Sequence, residues 1–280
     1  MPSTEPGVTP RRVFGIDFSG GAKAGNKIWI ASGWREDAGL TIDTCGRAAD
    51  LPNSDRSLAA SLAALRRVIE SSPEAVFGFD FPFGLPLPLC RTTTWEAEIL
   101  SFPDAFPSAA AFRQNCRDRC QGKEMRRTTD RETETPFSPY NLRMFRQTDA
   151  GIRSLLAPLV AARKVSAPPM MPIGPGRAVV IEVCPASTLK RLGLYDSFRG
   201  YKGRSENSAA KRRSLLATLQ STQGLHLSDP TLPEKIEADS EGDALDSIVA
   251  ALAASRAARQ IRSLEATNNP AYRMEGLVYT

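Results

Sequence analysis

Two short segments, far apart in the chain, have almost the same sequence, and this repetition constrains the fold most. They read Val-Phe-Gly-Ile-Asp-Phe at 13–18 and Val-Phe-Gly-Phe-Asp-Phe at 76–81. A continuous run of β-branched and aromatic residues is typical of a strand that is buried on both faces of a sheet. Because side chains alternate along a strand, each aspartate shares a face with the glycine two positions before it. That glycine leaves the face open for another element to approach.

The surrounding segments predict an α/β fold. Strands are expected at 27–34, 40–47 and 178–185, the last with Glu182 inside an apolar run. Short turns would join the first three strands into a meander, and a helix would supply the crossover to a parallel strand. The apolar face of that helix is formed by Leu58, Leu62, Leu65 and Ile69. We therefore expect a mixed sheet flanked by helices.

The boundaries of these elements follow from local signals. Asn53, Ser54 and Asp55 are candidate N-caps for the first helix. The segment 86–176 has a weaker pattern and proline-rich borders, with helices expected near 95–100, 108–121 and 140–160. We interpret it as a largely helical insertion in a single domain spanning 12–280. Residues 1–11 are rich in Pro, Ser and Thr, which predicts a disordered lead.

Carboxylates occupy places where apolar residues are expected. Asp17, Asp80 and Glu182 each lie on a predicted buried strand, and Asp243 and Asp246 begin the final helix at i and i+3. A buried carboxylate without a partner is costly, and a divalent cation relieves that cost where several converge. Alternatively, each acid bonds local amides or complements the helix dipole. The first interpretation predicts that these five acids are catalytic and bind metal.

Composition excludes several other kinds of site. A single histidine, His226, excludes a His-rich zinc site and disfavours a Ser-His-Asp hydrolase. Oxygen ligands without histidine or thiolate favour Mg²⁺ or Mn²⁺. Five cysteines are not a disulfide framework, and no apolar run approaches the ~20 residues of a membrane helix. We expect a cytoplasmic protein that does not bind membranes.

Four separated motifs together resemble one family. They are Gly-Ile-Asp-Phe-Ser-Gly-Gly, Phe-Asp-Phe-Pro-Phe-Gly-Leu-Pro, Ile-Glu-Val-Cys-Pro-Ala and Gly-Asp-Ala-Leu-Asp-Ser-Ile-Val-Ala-Ala. In this order they resemble domain of unknown function 429, a family described as predicted nucleases of the ribonuclease H-like superfamily. The resemblance implies a mixed five-stranded sheet flanked by helices, with acids grouped at its centre. The Asp-x-x-Asp of the last helix also resembles the end of the Holliday-junction resolvase site.

One departure from ribonucleases H concerns the first helix. Those enzymes place a catalytic glutamate in its early turns, whereas Glu70 comes too late in this chain.

Basic segments suggest an anionic partner. The chain carries a net charge of +5, and nine Lys or Arg fall within 111–147 and eight within 190–213. Such segments hold phosphates in nucleic-acid-binding proteins. The substrate-binding candidates combine side chains from these segments with the turn after the first strand, whose amides can approach a phosphate. They are Ser19, Gly20, Gly21, Arg143, Lys202, Arg204 and Arg212.

Three functions fit these features. The first is a metal-dependent nuclease that hydrolyses phosphodiester bonds of RNA or DNA with two metal ions. The second is an ATP-dependent phosphotransferase of actin-like fold, because Asp-Phe-Ser-Gly-Gly resembles the phosphate loop of that fold. The third is a nucleic-acid-binding module without catalysis. The carboxylate set and the basic segments favour the first.

Overall fold

Eight strands form one mixed sheet in the part of the chain that is described. The structure, a computed structural model, describes residues 11–37, 39–265, 267 and 269–280, with only the backbone of 262–265. Of the predicted lead over 1–11, all but Arg11 lies outside the described residues. The strands are β1 (Arg12–Asp17), β2 (Trp29–Arg35), β3 (Leu40–Arg47), β4 (Val76–Phe79), β5 (Val165–Ser166), β6 (Ala178–Val183), β7 (Leu225–Leu227) and β8 (Val278–Tyr279).

The order of the five longest strands confirms the predicted mixed sheet. They lie side by side as β3-β2-β1-β4-β6. The pairs β1–β2 and β2–β3 are antiparallel, whereas β4 runs parallel to both β1 and β6. This arrangement is the mixed five-stranded sheet that the resemblance implied. Three strands of two or three residues extend it, since β5 and β8 pair with β6 and β7 pairs with β3.

Helices cover both faces of the sheet. They are α1 (Leu58–Glu70), α2 (Trp95–Ala105), α3 (Ala109–Arg119), α4 (Thr128–Glu132), α5 (Phe145–Gly151), α6 (Ala157–Ala161), α7 (Pro185–Arg191), α8 (Glu206–Gln223), α9 (Leu232–Ala238), α10 (Asp243–Glu265) and α11 (Pro270–Glu275). A π-helical stretch, Ile152–Leu156, joins α5 to α6. No helix within the described ranges is long and apolar enough to cross a membrane.

The alternation of side chains along β1 and β4 separates two cores. Phe14 and Phe77 stack with ring centroids 4.3 Å apart in the core beneath α1, α2, α3 and α6. Val13 and Val76 point the other way, into the core beneath α7 to α10. The segment 86–176 contains α2 to α6, and its apolar side chains pack into the first of these cores. Aspartates on the Val13 face therefore lie on the side of the sheet that α10 covers.

Two local predictions are wrong. The first helix is capped by Ser57, whose hydroxyl accepts a hydrogen bond from the Ala60 amide, and none of the three predicted caps has this role. Asp55 instead accepts from the Ser57 amide at 2.6 Å, in the turn before the helix. The helix that begins at Asp243, expected to be the final one, is followed by α11 and β8.

Candidate active site

Helix α10 lies directly on β1, with nothing between the two backbones. A Cβ placed on Gly15 would fall 2.1 Å from the carbonyl oxygen of Ser247 and 2.0 Å from the Ala251 amide nitrogen. On β4, a Cβ on Gly78 would meet Ala254 Cβ at 3.0 Å. The two glycines therefore leave room for this helix, in agreement with the role expected from the sequence.

The same packing brings acids from three elements together. Asp17 ends β1, and Asp80 directly follows β4, where its amide donates a hydrogen bond to Ile16 O at 3.0 Å. Both side chains lie on the face that carries Gly15 and Gly78. Since Ser247 lies over Gly15, the first turn of α10 places Asp246 and Asp243 at this end of the strands.

Mutual repulsion and burial raise the pKa of three of these acids. For Asp17, burial raises the pKa well above its ordinary value, and Asp246, Asp243 and Asp80 raise it further. Burial followed by the Asp246 charge raises the pKa of Asp80 to about 7. For Asp243, burial is again the largest cause, and its pKa reaches about 6. Among the described residues, no hydrogen bond or ion pair reaches these three carboxylates, which disfavours the interpretation that each acid bonds local amides.

Asp246 differs because both of its oxygens are engaged. The Tyr201 hydroxyl donates to Oδ1, and the Lys202 ammonium forms an ion pair with Oδ2. The Asp246 carboxylate is almost fully buried, whereas about half of the Lys202 side chain is exposed. The Asp246 charge is the main cause of a raised pKa at Lys202. Lys202, a predicted substrate-binding residue, thus lies within the acidic cluster itself.

The segment that carries Lys202 is held in place by Arg212, which corrects the predicted role of this arginine. The Arg212 guanidinium is buried and donates to three backbone oxygens, those of Tyr201 (2.7 Å), Gly203 (3.0 Å) and Glu237 (2.9 Å). A side chain with these bonds does not contact substrate. Arg212 is therefore a structural residue that fixes the loop beside α10.

Glu182 also departs from its predicted role. Its carboxylate accepts hydrogen bonds from the buried Arg127 guanidinium at 2.5 and 2.7 Å and from the Phe83 amide at 2.8 Å. Asp130 binds the same guanidinium at 2.6 Å. A carboxylate with a complete set of buried partners has no need of a metal ion. We therefore leave Glu182 out of the candidate metal ligands.

The remaining predicted substrate contacts lie in three places. The Ser19 hydroxyl accepts from the Gly21 amide at 3.4 Å, in the turn directly after Asp17. Gly20 lies against the α5 backbone, because a Cβ there would fall 2.2 Å from Arg146 O. Arg143 is exposed, with its guanidinium 5.3 Å from the centre of the Phe137 ring. Arg204 is exposed near Glu241, whose pKa is lowered chiefly by Lys27.

Two partners that shape the site were not predicted from the sequence. Asp239 accepts a hydrogen bond from the Ala244 amide at 2.9 Å and thereby caps α10 at the turn that carries Asp243. Arg127 comes 55 positions before Glu182, within the insertion. Asp-x-x-x-x-Ala before a buried helix is a weak capping signal, and nothing in the sequence around Arg127 marks it as buried.

A pocket of about 360 Å³ opens beside the acids. Asp80, Lys202 and Asp246 contribute to its lining. Other lining residues come from the insertion, among them Phe137, and from the segment that follows β6. The acidic cluster therefore borders a cavity that a ligand can enter.

The donor set suits a hard divalent cation. Asp17, Asp80 and Asp243 offer carboxylate oxygens without competing partners, and their raised pKa values show an excess of negative charge that a cation would relieve. Within the described ranges, no three His, Cys, Asp or Glu side chains already stand in a metal-binding arrangement. The chemistry of the residues fits Mg²⁺ or Mn²⁺, provided that the carboxylates draw together.

The fold and the acids define an α/β protein with a mixed central sheet, flanking helices and a buried acidic site beside a pocket. The family model described as "Protein of unknown function (DUF429)" matches residues 15–268, and the chain belongs to this family. No curated protein matches the sequence significantly. Among solved structures, the yeast mitochondrial Holliday junction resolvase is similar at 13% identity and a TM-score of 0.44, covering 91% of this chain and 82% of that one. That likeness is distant.

Proposed function

We propose that this protein is a metal-dependent nuclease that hydrolyses phosphodiester bonds of RNA or DNA. The observation that supports this most is the grouping of Asp17, Asp80, Asp243 and Asp246 at one end of the strands, where burial and mutual repulsion raise three of the four pKa values. Surface carboxylates do not raise one another's pKa values in this way. Buried clusters with perturbed pKa values are concentrated at functional sites.

In this proposal the divalent ion, Mg²⁺ or Mn²⁺, is held by Asp17, Asp80 and Asp246, with Asp243 at the edge of the cluster. When bound, such ions activate water and stabilise the attacking and leaving oxygens of a phosphodiester. Helix α10 and strands β1 and β4 hold the carboxylates on rigid elements, which limits the reorganisation needed during the reaction.

The basic residues of the site contribute binding. Lys202 is half-exposed beside the acids, so its ammonium can donate to a phosphate oxygen that enters there. Arg143 and Arg204 are exposed, so they can contact backbone phosphates farther along the nucleic-acid chain. These phosphate contacts do not depend on the nucleotide sequence, and they would make nucleic-acid binding weaken as the salt concentration rises.

The test is cleavage of labelled single-stranded, duplex, bulged and branched DNA and RNA with Mg²⁺ or Mn²⁺. We expect at least one substrate to be cut by the native protein and none by Asp17→Asn or Asp80→Asn. Asp104→Asn, which changes an exposed acid on α2, is the matched control and should cut normally. Intact substrates throughout, or cleavage that survives both substitutions, would remove the proposal.

One observation favours a second candidate, a nucleic-acid-binding module without catalysis. Lys202 already neutralises Asp246, so the chain balances part of the acidic charge without a metal ion. This candidate is distinguished by binding that requires Lys202 and is unaffected by either divalent ion or by Asp17→Asn. The phosphotransferase alternative has no comparable support, since Gly20 is covered by the α5 backbone.

A further inference from the structure

The pocket beside the acids has walls that suit a flat aromatic ligand. Its volume of about 360 Å³ lies at the small end of the range for ligand sites, enough for a single planar ring system with part of a sugar. Phe137 and Tyr195 line it from two different segments of the chain, and both side chains are only half-buried. Met144 adds a further apolar surface.

Cations flank both aromatic rings. The Arg143 guanidinium lies 5.3 Å from the centre of the Phe137 ring, and the Lys190 ammonium lies 5.3 Å from that of Tyr195. Arg199, which is exposed, also lines the pocket. Aromatic rings accompanied by basic side chains are the combination with which proteins hold a base together with its phosphates.

Gln147 supplies a polar group to the pocket. Its amide nitrogen donates to the backbone oxygen of Asp80 at 3.2 Å, which fixes the side chain at the border between the pocket and the acids. Its amide oxygen accepts no hydrogen bond from the described residues. An oriented acceptor at the side of an aromatic-lined pocket can bind the donor edge of a base.

We propose that this pocket binds the base of an unpaired nucleotide next to the phosphate that lies at the acids. A base within a continuous duplex is stacked and paired and cannot reach such a pocket. The substrate class is therefore nucleic acid with an unpaired nucleotide, as in single-stranded, bulged or branched regions, rather than uninterrupted duplex. This inference rests on the proposed function, because the acids define where the phosphate lies.

The experiment uses three fluorescein-labelled hairpins, each made as DNA and as RNA and each closed by a non-nucleotide linker, so that no loop base is unpaired. One is fully paired, one carries a single-nucleotide bulge, and one carries the same bulge with its base removed. Affinities are measured by fluorescence anisotropy with EDTA present, so that cleavage does not interfere. We expect the bulged hairpin to bind roughly tenfold more tightly than the other two.

Two variants connect the preference to the pocket. Phe137→Ala should abolish the preference while leaving the affinity for the paired hairpin unchanged, and Gln147→Met, similar in length, should reduce it severalfold. Trp34→Ala is the matched control, because Trp34 is an exposed aromatic residue at the opposite end of β2 from the position paired with Asp17. Unchanged melting temperatures verify that the variants fold.

The outcomes separate this inference from the proposed function. Equal affinity for the bulged and base-free hairpins, or an equal loss for all three in Phe137→Ala, would overturn the inference. The inference would also be overturned if AMP or UMP bound with the same affinity as the bulged hairpin, since the pocket would then be a site for free nucleotides. Mn²⁺-dependent cleavage of all three hairpins at one rate would overturn the inference and leave the nuclease intact. Base-dependent binding without any cleavage would support the pocket and remove the nuclease.

Discussion

The Lys202 ammonium forms an ion pair with the Asp246 carboxylate, at the point where α10 meets the ends of β1 and β4. Tyr201 holds the other oxygen of the same carboxylate. Asp17 and Asp80 have no such partner among the described residues. The chain's own cation thus occupies one carboxylate of a cluster whose other members remain uncompensated.

Replacing Lys202 with methionine should strengthen metal binding. Lysine and a divalent ion compete for Asp246, so loss of the ammonium should lower the Mn²⁺ dissociation constant by about tenfold, equivalent to ~1.4 kcal/mol. Isothermal titration calorimetry measures this directly. Lys123→Met is the matched control, because Lys123 is an exposed lysine of the insertion. An unchanged or weaker Mn²⁺ affinity in Lys202→Met would contradict this competition.

The raised pKa of Asp80 predicts that stability falls with pH when metal is absent. The folded protein holds the proton up to a pKa of about 7, whereas the unfolded chain loses it near 3.8. The stabilisation is therefore complete below the unfolded value and is lost as pH rises through about 7. The Asp80→Asn variant has no carboxyl to titrate at this position. At pH 8 its free energy of unfolding should therefore exceed that of the native protein by roughly 1–3 kcal/mol.

Urea unfolding in EDTA at pH 5 and pH 8 measures the effect. The gain from Asp80→Asn should be much smaller at pH 5, where the native protein keeps most of the Asp80 proton. The control Asp104→Asn should have the same free energy of unfolding as the native protein at both pH values. If the free energies of unfolding of Asp80→Asn and of the native protein changed equally between pH 5 and pH 8, burial of an uncompensated charge at Asp80 would be refuted.

Gly15→Ala should displace α10 from the sheet. The new methyl group would fall 2.0 Å from the Ala251 amide nitrogen, and backbone cannot yield as a flexible side chain does. We expect a loss of about 1–3 kcal/mol or more in the free energy of unfolding, together with loss of metal binding. Gly46→Ala on β3 is the control, since its nearest contact would be Lys235 Nζ at 3.7 Å. Equal stability of the two variants would show that the close approach is not required.

Glu182→Gln distinguishes a structural acid from a metal ligand. Because Glu182 pairs with the buried Arg127, the substitution leaves a buried guanidinium partly uncompensated, and about 3–5 kcal/mol of stability should be lost. Mn²⁺ affinity measured well below the unfolding temperature should change little. A Glu182→Gln variant with native stability and no Mn²⁺ binding would restore Glu182 to the metal site.

The long strands and the position of the acids could be predicted because both follow from local alternation. The run around Asp17 specifies a buried strand, and its glycine indicates which face another element approaches. The short strands β5, β7 and β8 could not be predicted, since two or three residues are too few to show a period.

Long-range pairing limits what the sequence reveals about the site. The partner of Glu182 is Arg127, in another segment, and only the fold brings the two together. Arg212 was expected to contact substrate because it belongs to a basic segment, whereas its guanidinium is buried among backbone oxygens. The five acids looked alike in sequence, and their environments separate Glu182 from the other four.

The most direct test of the account is a crystal of the protein soaked in Mn²⁺, with anomalous scattering measured at the manganese edge. We predict an anomalous peak bound by oxygens of Asp17, Asp80 and Asp246, with the Lys202 ammonium moved away from Asp246. Crystals that show no peak at these acids at saturating Mn²⁺, with the Lys202–Asp246 pair intact, would contradict the proposed metal site and the nuclease built on it.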